Sequence, residues 1–282
     1  MATFVGYSNF KMNGIQLQTY GWNLISTDGV DSLPARRGSN NQTPYQDGDS
    51  SFGVKFYQSR VLKFTSGGLP QNSDGKVTAA DGPLYHLQNN IDYLKGILHQ
   101  NSGLQLFSFE VENGVGGQVQ REIDVEILAS SSIRPFLKNG KQFDIVMTAP
   151  RPFWREMPLV TVNQNTITSF PHAFNINTLG NAPINDMVMT IDANASGAAP
   201  SLECVSTGDK ISITDVGILI NDQFIIDLNT KTFTKNTVRA DGFISRETAW
   251  FMRLPPAASL AMSFDATSGN YDLQLEYYKK WL

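Results

Sequence analysis

Residues 104–131 read LQLFSFEVENGVGGQVQREIDVEILASS. Apolar and polar residues alternate on both sides of ENGVGG, which is the period of a half-buried strand, so the stretch predicts a long β-hairpin with a glycine-rich tip. Its outward positions, Glu110, Glu112, Gln118, Gln120, Glu122, Asp124 and Glu126, are polar. A hairpin of this length with one dry face needs a second sheet or a neighbouring subunit to cover it.

The segment before the hairpin has a different period. In DGPLYHLQNNIDYLKGILHQNSG, from Asp81 to Gly103, Leu84, Leu87, Ile91, Leu94 and Leu98 recur at spacings of three and four, which places them on one helical face. Asp81 or Gly82 suits the cap, Pro83 the first turn and Gly103 the stop. With only one apolar stripe, this helix must lie against a sheet.

Upstream, FKMNGIQLQTYGWNLIST carries Ile15, Leu17, Trp22 and Leu24 around Gly14 and Gly21 and reads as a hairpin. SFGVKFYQSRVLKFTSG, with Val54, Phe56, Val61 and Phe64, reads as strands with one buried face. Between them lies LPARRGSNNQTPYQDGD, residues 33–49, with adjacent arginines and two prolines and almost nothing apolar, which reads as a stiff polar connection.

Downstream, KNGKQFDIVMTAPRPFWREM ends in a stretch where Pro150 and Pro152 block helix and ladder alike. The domain junction is placed there, around Pro150, Pro152, Phe153 and Trp154, giving units 1–157 and 158–282. The second half consists of short alternating runs broken by Gly, Pro, Asn and Asp, the signature of an antiparallel sandwich. The fold class expected is mainly β: a sandwich-like N-terminal domain with one α-helix and a long hairpin, then a second β-sandwich.

Composition narrows the functions. The chain has 282 residues, 17% of them charged, and 22 Lys+Arg against 26 Asp+Glu for a formal charge of −4, so no broad basic field exists to hold nucleic acid or anionic lipid. No apolar run approaches the length of a membrane span, and MATFVGYSNFKMNG does not read as a secretory leader. One cysteine, Cys204, excludes an internal disulfide, and with three histidines it is too small a pool for a thiolate or imidazole metal centre. NQT at 41–43 and NAS at 194–196 match glycosylation acceptors that have no use without export.

Several tempting motifs dissolve on inspection. DANASGAAPSLE at 192–203 has the oxygen spacing of a calcium loop, with Gly197 and a closing Glu203, but its flanks are strand-like and Pro200 interrupts it, so a loop between strands is expected. His86 and His99 fall on different faces of the helix, His99 suiting the negative end of its dipole, and His172 stands apart. No nucleophile elbow, phosphate-cradling loop or zinc-protease pair occurs, and Asp124 and Glu126 alternate on a strand rather than facing each other. No catalytic, cofactor or metal residue is assigned. Trp250, Phe251, Tyr271 and Trp281 would suit a sugar-stacking platform or a core.

Taken together, DSLPARRGSNNQTPYQDGD, the strands SFGVKFYQSRVLKFTSG, the helix, the long hairpin, RPFW at 151–154, TGDKISI at 207–213, IIDLNTKTF at 225–233 and WFMRLPP at 250–256 resemble the distal tail proteins of long-tailed bacteriophages with non-contractile tails. The resemblance runs over nearly the whole chain in element order. It departs at LPPAAS, where the family more often has Pro-Gly, and at YQDGD, where a Pro often precedes the Gly.

The resemblance implies a structural virion protein at the tail tip, made in the host bacterial cytoplasm, without catalysis, cofactor, nucleic-acid binding or membrane insertion. Its first domain would close head-to-tail into a ring, a hexamer, between the tail tube protein and the tail-associated and receptor-binding proteins of the tip. The second would be a galectin-like sandwich serving either as a docking point or as a binder of host surface glycan. A heterologous ring asks each subunit for two different faces. Pro34, Arg36, Arg37, Gly38, Pro44, Tyr45, Asp47 and Gly48, and the hairpin tip Val115, Gly116 and Gly117, are the interface candidates. Arg36 and Arg37 would donate from a loop stiffened by Pro34 and Pro44, the alternative being a solvated loop whose arginines meet nothing in particular.

Overall fold

Strand formation begins with a two-residue turn. β1 (Tyr7–Met12) reverses through Asn13 and Gly14 into β2 (Ile15–Gln16), pairing Met12 with Ile15. Asn13 and Gly14 have φ of 50° and 80°, the double positive φ of a type I′ hairpin that Asn-Gly supplies at least strain. The computed structural model describes residues 7–17, 22–42, 49–68, 83–99, 103–112, 116–128, 131–136, 140–245, 248, 250 and 252–282. The chain divides into two units, Met1–Trp154 and Arg155–Trp281.

In the first unit β3 (Trp22–Asp28) pairs with β6 (Arg60–Gly68), so the expected hairpin stops at β2. Between β3 and β6 the polar stretch is not a loop. β4 (Arg36–Gln42) runs antiparallel to β5 (Asp49–Tyr57), with Arg36 opposite Tyr57 and Gln42 opposite Asp49. The register shifts between Arg37 and Ser39, where the single residue Gly38 of β4 faces residues 53–55 of β5, so the irregularity bulges on β5. β4 contains no apolar residue, so the period that marks a half-buried strand is missing and only main-chain pairing defines it. Among the described strands β4 and β5 pair only with each other.

α1 (Pro83–His99) buries Leu87, Ile91 and Leu94 as expected and lies against β6. Ile97, at 3% exposure, is buried as well, and Leu98, expected on this face, is half-buried. Asp81 and Gly82 lie outside the described residues.

The long hairpin forms as read. β7 (Gln105–Glu112) and β8 (Gln118–Ile127) pair from Gln105–Val125 to Glu112–Gln118. The far side of β7 is taken by β1, with Tyr7 opposite Val111 and Met12 opposite Phe107, so along those residues the chain itself covers this edge. Glu122, expected on the outer face, is buried. β9 (Ser132–Phe136) and β10 (Gly140–Ala149) follow, and the order β8-β10-β6-β3 completes the sheet, with β9 beside β10.

Its core is aromatic. Phe10, Phe64, Phe107, Phe109 and Trp154 are each at most 1% exposed, Phe64 and Phe107 with ring centres 4.7 Å apart and Phe109 meeting Trp154 edge-on at 4.7 Å. On β6 the inward residues are Leu62 and Phe64, whereas Val61, expected inside, is 55% exposed. Positions two apart share a face, so Phe64 carries Leu62 and Arg60 with it and turns Val61 out.

The second unit contains β11 (Trp154–Ile167), β12 (His172–Ile176), β13 (Val188–Ala198), β14 (Ser201–Cys204), β15 (Asp209–Ser212), β16 (Gln223–Asp227), β17 (Thr232–Lys235), β18 (Val238–Arg239), β19 (Leu260–Asp265) and β20 (Ser268–Trp281). One sheet runs β18-β17-β16-β13-β20-β11 and the other β12-β19-β14-β15. Met189, Ile191, Leu273 and Leu275 from the first share a core with Leu202, Ile211, Met262 and Phe264 from the second. This is the antiparallel sandwich read from the sequence. Residues 192–198 are strand and not loop: β13 runs to Ala198, and only Ala199 and Pro200 separate it from β14.

Candidate assembly surfaces

The β4–β5 ribbon is rooted in the aromatic core. Pro34 is buried, the Gln58 amide donates to the Ala35 carbonyl at 2.7 Å, and Arg36 and Tyr57 form the first pair of the ribbon. The Tyr57 ring meets Phe153 edge-on at 5.3 Å, and Trp154 follows, 1% exposed among Phe107 and Phe109. Thus Pro34 and the start of β4 are brought to Phe153 and Trp154, residues more than a hundred positions away in sequence. Pro152 is buried beside them in sequence and Pro150 is exposed.

Arg60 completes the root. It is 2% exposed, its guanidinium lies 5.5 Å from the centre of the Trp154 ring, and Nη1 donates to the Val30 carbonyl at 3.1 Å. Burial pulls its pKa down to about 10, against the attraction of Asp31. Gly29, before Val30, has φ +85° and would place a Cβ 2.2 Å from the Val61 carbonyl oxygen, so only glycine lets this loop close on β6.

Tyr7 links the ribbon's approach to the hairpin. It pairs with Val111 in β7, its ring stands edge-on to Phe109 at 5.1 Å, and its hydroxyl donates to the Asp31 carboxylate. Burial, and then the hydrogen bond to Asp31, push its pKa up to about 12. At the hairpin tip Gly116 has φ +79° and is exposed, and Gly117 is half-buried. Val115, Pro44, Tyr45, Asp47 and Gly48 lie outside the described residues, and the backbone of Arg36, Arg37 and Gly38 is in β4.

In the second unit Lys235 donates to Asp215 and Asp222, both at 2.8 Å, and lies 5.4 Å from the Phe224 ring centre and 5.7 Å from that of Phe243. Burial opposes the charge on Lys235, but the two carboxylates outweigh it and raise its pKa. Burial likewise opposes the Asp222 carboxylate, yet hydrogen bonds from Lys235, the Leu219 amide and Asn236 outweigh it and lower its pKa. The cluster pins the loop between Asp215 and Asp222 to β17. These non-local groups have no spacing signature, although Arg60 was findable as a charge on the inward register of a strand.

Three of the four aromatic candidates lie among the described residues. Tyr271 is fully buried, Trp250 packs against the sandwich core, and Trp281 donates from Nε1 to Glu156 at 2.7 Å, while Phe251 lies outside the described residues. His172 bonds Gln164 at 3.2 Å and stacks on Phe174, and His86 meets Tyr85 edge-on. Among the described residues no three His, Cys, Asp or Glu side chains gather as metal ligands, and no helix is long and apolar enough to cross a membrane.

No protein-family model matches the chain and no curated protein matches its sequence. Among solved structures it is similar to the Dit protein of phage SPP1, with a TM-score of 0.68 over 97% of this chain and 99% of that one, at 14% identity. The chain has a Dit-like fold. SPP1 Dit is described as a paradigm of the hub adsorption apparatus in phages that infect Gram-positive bacteria. The likeness to Dit spans both units.

Proposed function

We propose that this chain is a structural protein of a phage virion, the distal tail hub that joins the tail tube to the proteins of the tail tip. The observation carrying this reading is that the likeness to Dit extends over both chains almost end to end. The first unit would form the ring, a homohexamer, and the second would project as the docking point for tip and receptor-binding proteins.

The β4–β5 ribbon supports self-assembly on physical grounds. Among the described strands these two pair only with each other and so present two open edges, and an isolated two-stranded ribbon is marginal in water. A neighbouring copy that accepts the ribbon satisfies those main-chain groups. Its root is fixed by Tyr57 on Phe153 and by the Val30–Arg60 contact, which lowers the ordering cost of docking. The charged pair Arg36 and Arg37 sits at the start of this ribbon, suited to a neighbour's carboxylates or carbonyls.

The test is the mass of the purified full chain by light scattering and its appearance by cryo-electron microscopy. A closed ring of six is expected at high concentration. Arg36→Ala with Arg37→Ala should shift the mass toward monomer with the melting temperature unchanged. A solitary monomer at all concentrations, and no like neighbours in the virion, would overturn the reading.

A further inference from the structure

A cleft of about 530 Å³ in the second unit is lined by Asp192, Ala193, Asn194, Asn221, Gln223, Asn236 and Thr237. Its volume falls within the roughly 300–1,000 Å³ of small-molecule sites. Its lining is unusual: apart from Ala193, every side chain is an amide, a hydroxyl or a single carboxylate.

The cleft is held by its own hydrogen bonds. Gln223 Nε2 donates to Asp192 Oδ1 at 2.8 Å, the Gln223 amide donates to Asn236 Oδ1 at 2.8 Å, and Asn236 Nδ2 donates to Asp222 Oδ1 at 2.8 Å. The Asn221 amide bonds the Ala193 carbonyl at 2.7 Å. Asn194, Asn221 and Thr237 are exposed and spend no side-chain hydrogen bond on this frame. Asn221, Asn236 and Thr237 all have positive φ, of 68°, 50° and 68°. For Thr237, the second residue of the two-residue turn between Lys235 and Val238, this conformation is strained where Gly would be relaxed.

Charge and polarity select the ligand. With no Lys, Arg or His in the lining, the cleft does not attract phosphate or carboxylate, and with one carboxylate, half engaged by Gln223, it does not hold a cation. Without an apolar floor it does not bury a hydrophobic side chain. Amide side chains present a donor and an acceptor side by side, which fits vicinal hydroxyls.

We propose that this cleft is a binding site for neutral saccharide units, with Asp192, Asn194, Asn221 and Thr237 as the groups that bond the ligand. The assignment goes beyond the hub reading and does not depend on ring formation.

The experiment is saturation-transfer NMR and calorimetry on the full chain. The probes are methyl glycosides of galactose, glucose, N-acetylglucosamine and rhamnose, together with lactose, cellobiose and chitobiose, against poly(glycerol phosphate) as an anionic control. Selective millimolar binding of at least one neutral sugar is expected. Asn194→Ala should weaken it about tenfold, and Thr237→Gly should weaken it while leaving the melting temperature equal or higher, since Gly relieves the turn. Val205→Ala, outside the cleft, should change nothing. Absence of binding to every neutral probe, binding that survives both cleft variants, or binding of poly(glycerol phosphate) alone would overturn the assignment. Oligomer mass, read in the same samples, tests the hub reading separately.

Discussion

Arg60 and Trp154 stack within the first unit, the guanidinium 5.5 Å from the indole centre and the arginine only 2% exposed. Among the described residues only Nη1 has a hydrogen-bond partner, the Val30 carbonyl, while Nε and Nη2 are buried without one. A buried cation so thinly satisfied costs stability, because contact with an aromatic face and one carbonyl does not replace its hydration.

Arg60→Met keeps the volume and removes that cost. The variant is expected to be as stable as the parent or more stable, by about 0–2 kcal/mol in denaturant unfolding, while assembly weakens because the Val30 loop loses its tether to the ribbon root. The pH dependence has a defined sign: with a folded-state pKa of about 10, below the ordinary guanidinium value, the cost of the buried charge is present below pH 10 and is relieved as pH rises above it. A fall of 3 kcal/mol or more in the variant would mean that Arg60 is paired more fully than its contacts indicate.

Tyr271 and Tyr277 titrate the second unit in the opposite sense. Burial raises both to about 12 from an ordinary 10, and the Tyr277 hydroxyl donates to the Asn177 carbonyl at 2.8 Å. Below pH 10 both states are protonated and their contribution is whole; between 10 and 12 only the unfolded chain ionises, so stability falls. Calorimetric melting at pH 9, 10, 11 and 12 should show this fall, and Tyr271→Phe with Tyr277→Phe should flatten it. Equal slopes in parent and variant would refute the assignment.

Alternation and helical period made much of this architecture legible. β7 and β8 read directly because apolar and polar residues alternate along each strand, and α1 because its stripe repeats. What sequence did not reveal lies where main-chain pairing or distant partners decide. β4, with Arg, Gly, Ser, Asn and Gln alone, has no face to read, and a register one residue out put Val61 inside in place of Leu62. The root of the ribbon joins Pro34 to Phe153 through Tyr57, and Lys235 meets Asp215 and Asp222 across the strand order. The saccharide cleft escaped because attention to aromatic residues favours Tyr271 and Trp250, which belong to the core, over amides on separate turns.

Lys235 neutralises two buried carboxylates in the second unit. With Asp215 and Asp222 side chains 8% and 9% exposed, Lys235→Met leaves two carboxylates facing each other without a counter-ion, which should cost about 2–4 kcal/mol. Parent stability is whole above the ordinary carboxylate pKa of 3.8 and is lost as pH falls through the depressed folded-state value of Asp222. The variant should gain relative stability on acidification, because its carboxylates prefer to be protonated. A uniform loss at every pH would assign the effect to packing on Phe224 and Phe243.

The hairpin tip separates assembly from stability most cleanly. β7 and β8 are held by pairing from Gln105–Val125 to Glu112–Gln118, by β1 on the outer edge of β7 and by Phe107, Phe109, Ile123 and Val125 in the core, none of which involves the tip. Gly116 is exposed, and a Cβ built on it meets nothing within 4 Å, so this position of the tip has open space around it. Deleting Val115, Gly116 and Gly117 should therefore shift the melting temperature by no more than about 2–4 °C, the equivalent of roughly 1 kcal/mol in a chain of this size, while ring mass or the capture of tip proteins declines. Should the melting temperature collapse instead, the tip closes the hairpin and is no contact surface. If neither quantity moves, it is a solvated turn, and the ribbon alone carries the ring.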